Sequence, residues 1–395
     1  MLKALIAHNH YGERARGGEA VVVENETALL RENGISVKVC EVSNSEILKL
    51  SFYKKIRLGV RARNDEVYKL LSPIVREFQP DLVHIHNYKY YFSASIFEFF
   101  NELNIPIILS VHNYRLLCPG GQFRRGDFPC EECLENNPFR SLWRPGCASK
   151  ISTAWLQYMF YLGTEEIIKQ TVSAFVLPSE FMKERFVKGG FSPSKLFVKP
   201  YFLFDPLKEQ GAAFSKPFSS YAIYIGRLSS EKGVSFLVDA WREIDLPLVI
   251  VGDGPEYNRL KENAPCNVVF LGERSRAETF QYLQAAEFLV FPSVCYEGLG
   301  MTLLEALAFG IPIVASDLGA RREVVEHEQN GLLFTANDKT SFISAIRRVL
   351  DNPSELLRWK REARRRYELF YTPEANFREL QKIYQVALDR KCLEL

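Results

Sequence analysis

Short, nearly continuous apolar runs alternate with longer segments of helical periodicity along most of the 395-residue chain. Runs such as Ile-Pro-Ile-Ile-Leu at residues 105–109 are typical of parallel strands buried on both faces. The runs that predict strands are residues 3–8, 36–42, 81–86, 105–111, 174–178, 221–225, 248–251, 268–271, 288–291 and 312–315. Because helical patterns separate them, we predict an α/β protein with helices on both faces of parallel sheets.

The helical patterns cover residues 19–32, 65–78, 93–101, 180–188, 234–244, 257–262, 275–286 and 301–309. Ser275 and Glu278 form a capping-box sequence, which predicts a helix start. An uncharged, aromatic-rich run at residues 151–164 has the length of a buried or interfacial helix. Residues 353–388 predict two charged helices that are interrupted at Pro373.

The alternation breaks between residues 199 and 220, where prolines and glycines leave no sustained period. The strand and helix pattern then starts again. This segment is therefore the best candidate for a linker between a first domain at residues 1–200 and a second domain at residues 201–371. A chain of this length is sufficient for two sizeable cores.

Two carboxylates, Glu297 and Glu305, lie eight positions apart around a glycine-rich start of an apolar helix. The helix begins near Gly300 and Met301, and such an N-terminus favours an anion such as a diphosphate. Glu305 is the only charge between Met301 and Ser316, and a buried acid requires a polar partner. A ribose with two hydroxyl donors would be such a partner. The alternative is an acid on the helix surface.

Two cations, Arg227 and Lys232, follow the predicted strand at residues 221–225. Ligands bind beyond the carboxyl ends of strands in open parallel sheets. Arginine is a planar bidentate donor and lysine a mobile point charge, so this pair suits a diphosphate and would stabilise it without a metal ion. The alternative is a pair of solubilising surface charges.

Gly17 and Gly18 follow the first strand, where the lack of a Cβ would allow close approach of a diphosphate or only a tight turn. His112 ends the predicted strand at residues 105–111, and His86 also follows a strand. His86 is a second candidate for acceptor contact. A histidine at a strand end is more often structural than catalytic, so position alone does not assign either one a role.

These segments together resemble the retaining nucleotide-sugar glycosyltransferases of family 4, which have the GT-B fold. The motifs that carry the resemblance are E-x7-E from Glu297 to Glu305, G-R-x4-K-G at residues 226–233, G-x-G-P at residues 252–255, the Gly17-Gly18 pair, and His112-Asn113. The resemblance implies two Rossmann-like domains facing a central cleft. It also implies that a helix at residues 372–395 packs back on the first domain.

The resemblance implies a role for each of these residues. His112 and Glu297 would be catalytic, beside the donor sugar. The donor would be held by Gly17, Gly18, Arg227, Lys232, Gly300, Met301 and Glu305. The family is thought to retain configuration by front-face attack, in which the leaving phosphate helps to deprotonate the acceptor. No cofactor would be needed for this catalysis.

The implied reaction moves a sugar from a UDP- or GDP-sugar to a glycan or lipid-linked acceptor during synthesis of a cell-surface polysaccharide or glycoconjugate. A GT-B nucleotide-sugar epimerase and a non-catalytic nucleotide-binding scaffold are the alternatives. A nicotinamide dehydrogenase is disfavoured, because no G-x-G-x-x-G follows the first strand.

Four of the eight cysteines fall in one loop-like segment at residues 114–150, with the spacing C-x11-C-x2-C-x13-C. They are Cys118, Cys130, Cys133 and Cys147. Disulfides are not expected in a reducing compartment, which leaves a structural zinc ion or reduced thiols. The segment is rich in glycine and proline, so we do not expect a hydrophobic core to hold its shape.

A net charge of +2 gives no global field for nucleic acid. The chain has no run of eighteen apolar residues, and its first residues predict a strand rather than an export signal, so a cytoplasmic location is expected. Basic residues cluster at 54–63 and 358–366. They are either solvated helix faces or contacts with an anionic glycan or the inner face of a membrane.

Overall fold

The computed structural model describes residues 1–10, 17–45, 64–126, 128–135, 147, 151–208 and 216–393. The basic cluster at residues 54–63 lies outside these ranges. The chain divides into two compact units. The first unit comprises Met1–Gly126, Cys130–Pro200 and Pro373–Leu395, and the second unit comprises Asp127–Pro129 and Tyr201–Thr372.

The strands before residue 200 are β1 Lys3–His10, β2 Ser36–Ser43, β3 Leu82–Ile85, β4 Ile107–Ser110, β5 Arg124–Arg125, β6 Phe128–Pro129, β7 Ala174–Leu177 and β8 Leu196–Val198. Within the described residues, a parallel sheet of six strands has the order β2-β1-β3-β4-β7-β8. The strand order reverses between β1 and β3. Doubly wound sheets bind ligands at such a switch point, beyond the carboxyl ends of the strands.

The later strands are β9 Ala222–Ile225, β10 Leu248–Val251, β11 Val268–Gly272, β12 Phe288–Phe291, β13 Ile313–Ser316 and β14 Gly331–Phe334. They form the parallel sheet of the second unit, in the order β11-β10-β9-β12-β13-β14. Its switch point lies between β9 and β12, the two strands that precede the Arg227 and Glu297 loops. The predicted α/β class with two parallel sheets is confirmed.

The helices are α1 Gly18–Glu32, α2 Asp65–Phe78, α3 Ser95–Glu102, α4 Glu132–Glu135, α5 Ile151–Thr171, α6 Glu180–Lys188, α7 Val234–Ala240, α8 Tyr257–Glu262, α9 Arg276–Gln284, α10 Met301–Ala308, α11 Arg321–Val324, α12 Lys339–Asp351, α13 Pro353–Phe370 and α14 Pro373–Leu393. Side-chain caps define several starts, and the capping box predicted at Ser275 and Glu278 is present at α9. Within the described residues, no helix is long and apolar enough to cross a membrane.

Each unit has its own apolar core. In the first unit, α14 contributes Leu380, Ile383 and Tyr384 to a cluster that includes Ile6 of β1 and Ile108 of β4. In the second unit, the core is built around bulky side chains that include Trp241, Phe342 and Trp359. The last helix therefore completes the core of the first unit, although it is far from β1 in the sequence.

The structure describes residues 199–208 of the candidate linker. Leu203 is buried, its backbone N–H donates to the carbonyl of Tyr371 at 3.1 Å, and its carbonyl accepts from the hydroxyl of Tyr367 at 2.9 Å. The basic cluster on α13 faces acids. Arg364 pairs with Asp205 at 2.7 Å, and further ion pairs are Lys360–Glu287, Arg365–Glu362 and Arg366–Glu326.

Candidate active site

Glycines bring two loops of the second unit into direct backbone contact, beyond the carboxyl ends of β9 and β10. A Cβ on Gly252 would lie 2.0 Å from the carbonyl oxygen of Gly226, and one on Gly254 would lie 2.4 Å from that of Leu228. The N–H of Leu228 donates to the carbonyl of Asp253 at 2.9 Å. The G-R-x4-K-G and G-x-G-P motifs are thus two sides of one contact, because only glycine permits backbones to approach this closely.

A second glycine contact joins the β9 loop to the β12 loop. Gly233 has a φ of +68°, and a Cβ there would lie 2.2 Å from the carbonyl oxygen of Pro292. The N–H of Val294 donates to the carbonyl of Glu231 at 3.0 Å. Lys232 is therefore held beside the loop that carries Glu297.

Lys232 and Glu297 form an ion pair, with the lysine Nζ 2.8 and 2.9 Å from the two carboxylate oxygens. The Ser293 hydroxyl donates to the same carboxylate at 2.6 Å. Burial opposes ionisation, but the charge of Lys232, followed by that of Arg321, lowers the pKa of Glu297 below its usual value. Conversely, Glu297 raises the pKa of Lys232 against the effect of burial. Both groups are therefore charged at neutral pH.

Arg321 is a site residue that the sequence did not reveal. It is only 1% exposed, and its guanidinium donates to the carbonyl oxygens of Cys295 at 2.8 Å and Leu318 at 3.0 Å. Its neighbour Arg322 is exposed and pairs with Asp317 instead. The sequence shows two adjacent arginines after β13, which could indicate a site residue, but it does not show which of the two side chains faces inward.

Arg227 and Glu305 differ from the Lys232–Glu297 pair. Within the described residues, the exposed guanidinium of Arg227 and the half-buried carboxylate of Glu305 make no hydrogen bond or salt bridge. Burial raises the pKa of Glu305. Both groups are thus available to a ligand, whereas Lys232 already has a partner.

The N-termini of α10 and α1 lack a capping side chain. Gly300 precedes α10 with a φ of +93°, and Met301 is the first residue of that helix. Gly17 precedes α1, is exposed, and has no described atom within 4 Å of the position of an added Cβ. Gly18 is the first residue of α1. A helix N-terminus of this kind is suited to an anion.

Histidines and one acid gather at the carboxyl edge of the first sheet. Oε1 of Glu26, on α1, lies 2.9 Å from Nδ1 of His84 and 3.2 Å from Nε2 of His86. His86 Nδ1 lies 3.2 Å from His112 Nε2. The other oxygen of Glu26 accepts from Lys199 at 2.7 Å. The sequence predicted His86 and His112 separately; the structure connects them and adds Glu26.

This cluster is buried, and burial dominates its ionisation. Burial lowers the pKa of His84 to about 4, and burial followed by the charge of His86 lowers the pKa of His8 to about 3. The same two causes lower the pKa of His112 well below its usual value. Although burial opposes it, Lys199 holds the pKa of Glu26 well below its usual value. The acid is therefore ionised and these histidines are neutral at pH 7.

The Glu26–His84–His86 group also has the geometry of a metal site, since its three ligand atoms lie within 4.8 Å of one another. The contacts of Glu26 and His84 argue against a metal ion. The ammonium of Lys199 already neutralises Glu26. His84 is occupied on both nitrogens, by the hydroxyl of Tyr384 at 2.9 Å and that of Ser110 at 2.8 Å.

An open cavity lies beside His112 in the first unit. Its lining includes Lys89, Arg115 and Tyr161. Burial, followed by the charge of Arg115, lowers the pKa of Lys89 well below its usual value. The sequence offered no pattern that singled out these residues.

The cysteine segment has more buried apolar surface than the sequence suggested. Tyr114 and Phe123 are fully buried, their rings are 4.9 Å apart, and Leu116 and Leu117 are also buried. The expectation that no apolar contacts hold this segment is therefore wrong. Despite the glycine and proline content, four large apolar side chains are buried in the first half of the segment.

Charge on the cysteine sulfurs is unevenly distributed. The pKa of Cys118 is lowered to about 6, first because the Cys133 thiol hydrogen-bonds to its sulfur. Burial opposes this shift, and the backbone N–H groups of Phe123, Gly121 and Gly120 favour it. The same contact with Cys118 raises the pKa of Cys133. Cys118 thus holds the negative charge while Cys133 keeps its proton.

Two family models match the chain. The model described as Glycosyltransferase Family 4 matches residues 16–201, and the one described as Glycosyl transferases group 1 matches residues 209–366. The chain is 27% identical over 178 residues to the O-antigen chain mannosyltransferase C of Escherichia coli, covering 44% of this chain and 48% of that protein. It is 30% identical over 158 residues to the D-rhamnosyltransferase WbpZ of Pseudomonas aeruginosa, covering 38% and 42%. The chain thus spans about half the length of these curated relatives.

Solved structures extend the likeness to the whole fold. Sucrose-phosphate synthase from Thermosynechococcus elongatus superposes with a TM-score of 0.71 at 17% identity, covering 98% of each chain. Anabaena Alr3699/HepE in complex with UDP-glucose superposes with a TM-score of 0.65 at 16% identity, covering 98% of this chain and 100% of that one. The chain belongs to glycosyltransferase family 4 and has the GT-B fold, as its motifs suggested.

Proposed function

We propose that this protein is a retaining hexosyltransferase that moves a sugar from a UDP- or GDP-sugar to a glycan or lipid-linked acceptor. The bond from the anomeric carbon to the diphosphate breaks, and a bond from that carbon to an acceptor oxygen forms on the same face. The acceptor proton passes to the leaving diphosphate. Arg227 and Lys232 offset the charge that develops there, so catalysis needs no cofactor.

The observation that carries this proposal is the arrangement of charge at the switch point of the second sheet. The Glu297 carboxylate is paired with Lys232, whereas Arg227, on the same loop as Lys232, and Glu305, on α10 after the Glu297 loop, make no hydrogen bond or salt bridge within the described residues. A phosphate would bind Arg227, and ribose hydroxyls would donate to Glu305. The pairing of Lys232 with Glu297 supports a shared role at the junction of sugar and diphosphate.

The proposed site residues are those expected from the sequence, with Arg321 added. His112 and Glu297 are the proposed catalytic residues. The proposed donor-binding residues are Gly17, Gly18, Arg227, Lys232, Gly300, Met301 and Glu305. Arg321 is a positioning residue, since it touches Cys295 and Leu318 in the loops around Glu297.

We propose that Glu26 acts on His112 through His86. Glu26 Oε1 lies 3.2 Å from His86 Nε2 without a hydrogen bond between them, and His86 Nδ1 lies 3.2 Å from His112 Nε2. Glu26 thus places near His112 the negative charge that Asn113 does not supply.

The proposed acceptor is a glycan or a lipid-linked glycan. An O-antigen chain mannosyltransferase and a D-rhamnosyltransferase among the relatives support this class. We also propose contact with an anionic membrane surface, on the basis of the basic composition of residues 54–63. The acid pairing of α13 disfavours that helix as the contact.

A donor-only assay tests the proposal without knowledge of the acceptor. The protein is incubated with UDP-glucose or GDP-mannose, and the anomeric carbon is followed by NMR. We expect slow hydrolysis of one donor that first releases the sugar with its original anomeric configuration. An inverted sugar would contradict retention, an epimerised nucleotide sugar would indicate the epimerase, and binding without turnover would indicate the scaffold.

The Glu297→Gln variant serves as the matched control in this assay, because it removes the proposed catalytic carboxylate with little change in shape. A thermal-shift series with UDP and GDP identifies the base, since a ligand that binds only the folded protein raises its stability.

A further inference from the structure

The four clustered cysteines lie in one part of the first unit, although 29 positions separate the first from the last. None forms a disulfide. The thiol of Cys133 hydrogen-bonds to the sulfur of Cys118. Gly120 lies against both the Cys118 sulfur and the Cys147 carbonyl. The fold therefore brings Cys118 and Cys133 into contact and places the backbone of Cys147 near the same turn.

Cys118 lies in a tight turn in which the backbone of Gly120 and Gly121 is close to its side chain. Gly121 has a φ of +76°, and its N–H donates to the Cys118 carbonyl at 2.7 Å. A Cβ on Gly120 would lie 3.7 Å from the Cys118 sulfur and 3.1 Å from the Cys147 carbonyl oxygen. A side chain at Gly120 would thus crowd the Cys147 backbone and touch the Cys118 sulfur.

The second half of the cluster is fixed from two sides. The N–H of Cys130 donates to the Phe123 carbonyl at 2.7 Å, which brings the Cys130-x2-Cys133 pair back toward Cys118. Glu131, inside that pair, forms a salt bridge with Arg185 of α6 at 3.1 Å. These contacts orient the pair before any ligand binds.

We propose that Cys118, Cys130, Cys133 and Cys147 bind one structural zinc ion. Four cysteines with a C-x2-C pair are the donor set of closed tetrahedral zinc sites. Within the described residues, no three of these sulfurs lie within 4.8 Å of one another. Binding at about 2.3 Å from the metal would therefore draw the sulfurs together and release the thiol protons.

The zinc site would stiffen one wall of the cavity beside His112. Leu116 and Pro119, on either side of Cys118, line that cavity. Its function is structural, since four protein sulfurs leave no open position on the metal for a substrate. The proposal is independent of the glycosyl-transfer reaction, and either one stands if the other fails.

Metal analysis of the full chain, purified without chelator under reducing conditions, tests the site directly. We expect about one zinc ion per chain. Replacement by Co²⁺ should give the intense sulfur-to-cobalt charge-transfer absorption of a tetrathiolate centre. Absence of zinc, together with no such absorption after addition of one equivalent of Co²⁺, would overturn the proposal, as would a disulfide between any two of these cysteines.

Variants identify the ligands. Cys130→Ser should lose the zinc and increase hydrogen exchange in residues 114–135, whereas Cys266→Ser, an exposed cysteine of the second unit, should retain both zinc and protection. A Cys130→Ser protein that keeps a full equivalent of zinc would contradict the assignment. If that variant does not fold, the stoichiometry and cobalt spectrum of the unchanged chain still decide the question.

Discussion

The two parallel sheets hold polar groups at their carboxyl edges in different ways. In the second unit, glycine contacts such as Gly252 against Gly226 bring loops together, and the charged side chains follow the backbone. In the first unit, a network of buried side chains centred on Glu26 joins α1, β3 and β8 to His112. Backbone placement leaves Arg227 exposed, whereas the side-chain network keeps Glu26 and Lys199 out of water.

The largest effect is expected from Glu26→Gln. The change would leave the buried ammonium of Lys199, 3% exposed, without a counter-charge. Breaking such a pair costs about 3–5 kcal/mol of unfolding free energy, which urea denaturation measures. Asp317→Asn is the control, because Asp317 pairs with the exposed Arg322 and should cost about 1 kcal/mol or less.

A double-variant cycle separates the pair from general disruption. Glu26→Gln combined with Lys199→Met should cost less than the sum of the two single changes. Strict additivity would show that the ion pair does not organise the cluster.

Glycine substitutions should have different effects at the carboxyl edges of the two sheets. Gly252→Ala forces a Cβ to within 2.0 Å of a carbonyl oxygen at a φ of +140°, which should cost roughly 2–4 kcal/mol from overpacking and backbone strain. Gly17→Ala has open space and a φ of −80°, so its stability should change by less than about 0.5 kcal/mol. Thermal denaturation of both variants measures the difference.

Gly17→Ala should nevertheless weaken donor binding if a diphosphate approaches this backbone. A Gly17→Ala protein with unchanged stability and unchanged KM for the donor would remove Gly17 from the site. If Gly252→Ala and Gly17→Ala destabilised the protein equally, the proposed difference between the carboxyl edges of the two sheets would be contradicted.

Acid should destabilise the protein through its buried histidines. The pKa of His84 is lowered to about 4 and that of His8 to about 3, so the unfolded chain binds more protons than the folded chain as pH falls from about 6.5 toward these values. Above about pH 6.5 these histidines are neutral in both states, so the stability of the folded protein is fully present. As the pH falls below about 6.5, each group reduces the free energy of unfolding by up to about 1.4 kcal/mol per pH unit.

Urea denaturation at pH 7, 6 and 5 measures this slope. His84→Gln should flatten it, whereas His327→Gln, at an exposed position, should not. A stability that is constant between pH 7 and 5 would mean that these histidines are not held neutral in the folded protein.

The two cations of the second unit should differ in turnover. Arg227→Ala should reduce kcat/KM at least tenfold, about 1.4 kcal/mol of transition-state stabilisation. Lys232→Ala should reduce it further, because it also removes the ion-pair partner of Glu297. Unchanged kcat/KM in both variants would remove these residues from the diphosphate site.

The sequence predicted most of the sheets, because buried parallel strands have continuous apolar runs whose ends are readable. It missed β8 and β14, since Leu196–Val198 is only three residues long and Gly331–Phe334 begins with a glycine. Motif residues placed by backbone, such as Lys232, could be found because their glycines are part of the pattern.

Residues placed by long-range side-chain contacts could not be found in this way. Glu26 differs from Glu24 only in facing Lys199, 173 positions away, and both are ordinary members of a helical pattern. Arg321 likewise differs from Arg322 only in the direction of its side chain. Which of two neighbouring residues faces the interior depends on the packed structure rather than on any local sequence spacing.

The most direct test of the proposed donor site compares Glu297→Gln with Glu305→Gln, two changes that remove charge and preserve shape. Calorimetry with the free nucleotide and donor-hydrolysis rates are measured on both. We predict that Glu305→Gln weakens nucleotide binding about tenfold, since it loses a charge-assisted bond to ribose. Glu297→Gln should reduce turnover at least tenfold with nearly unchanged nucleotide affinity. Loss of the nucleotide in Glu297→Gln, with normal binding in Glu305→Gln, would contradict these roles.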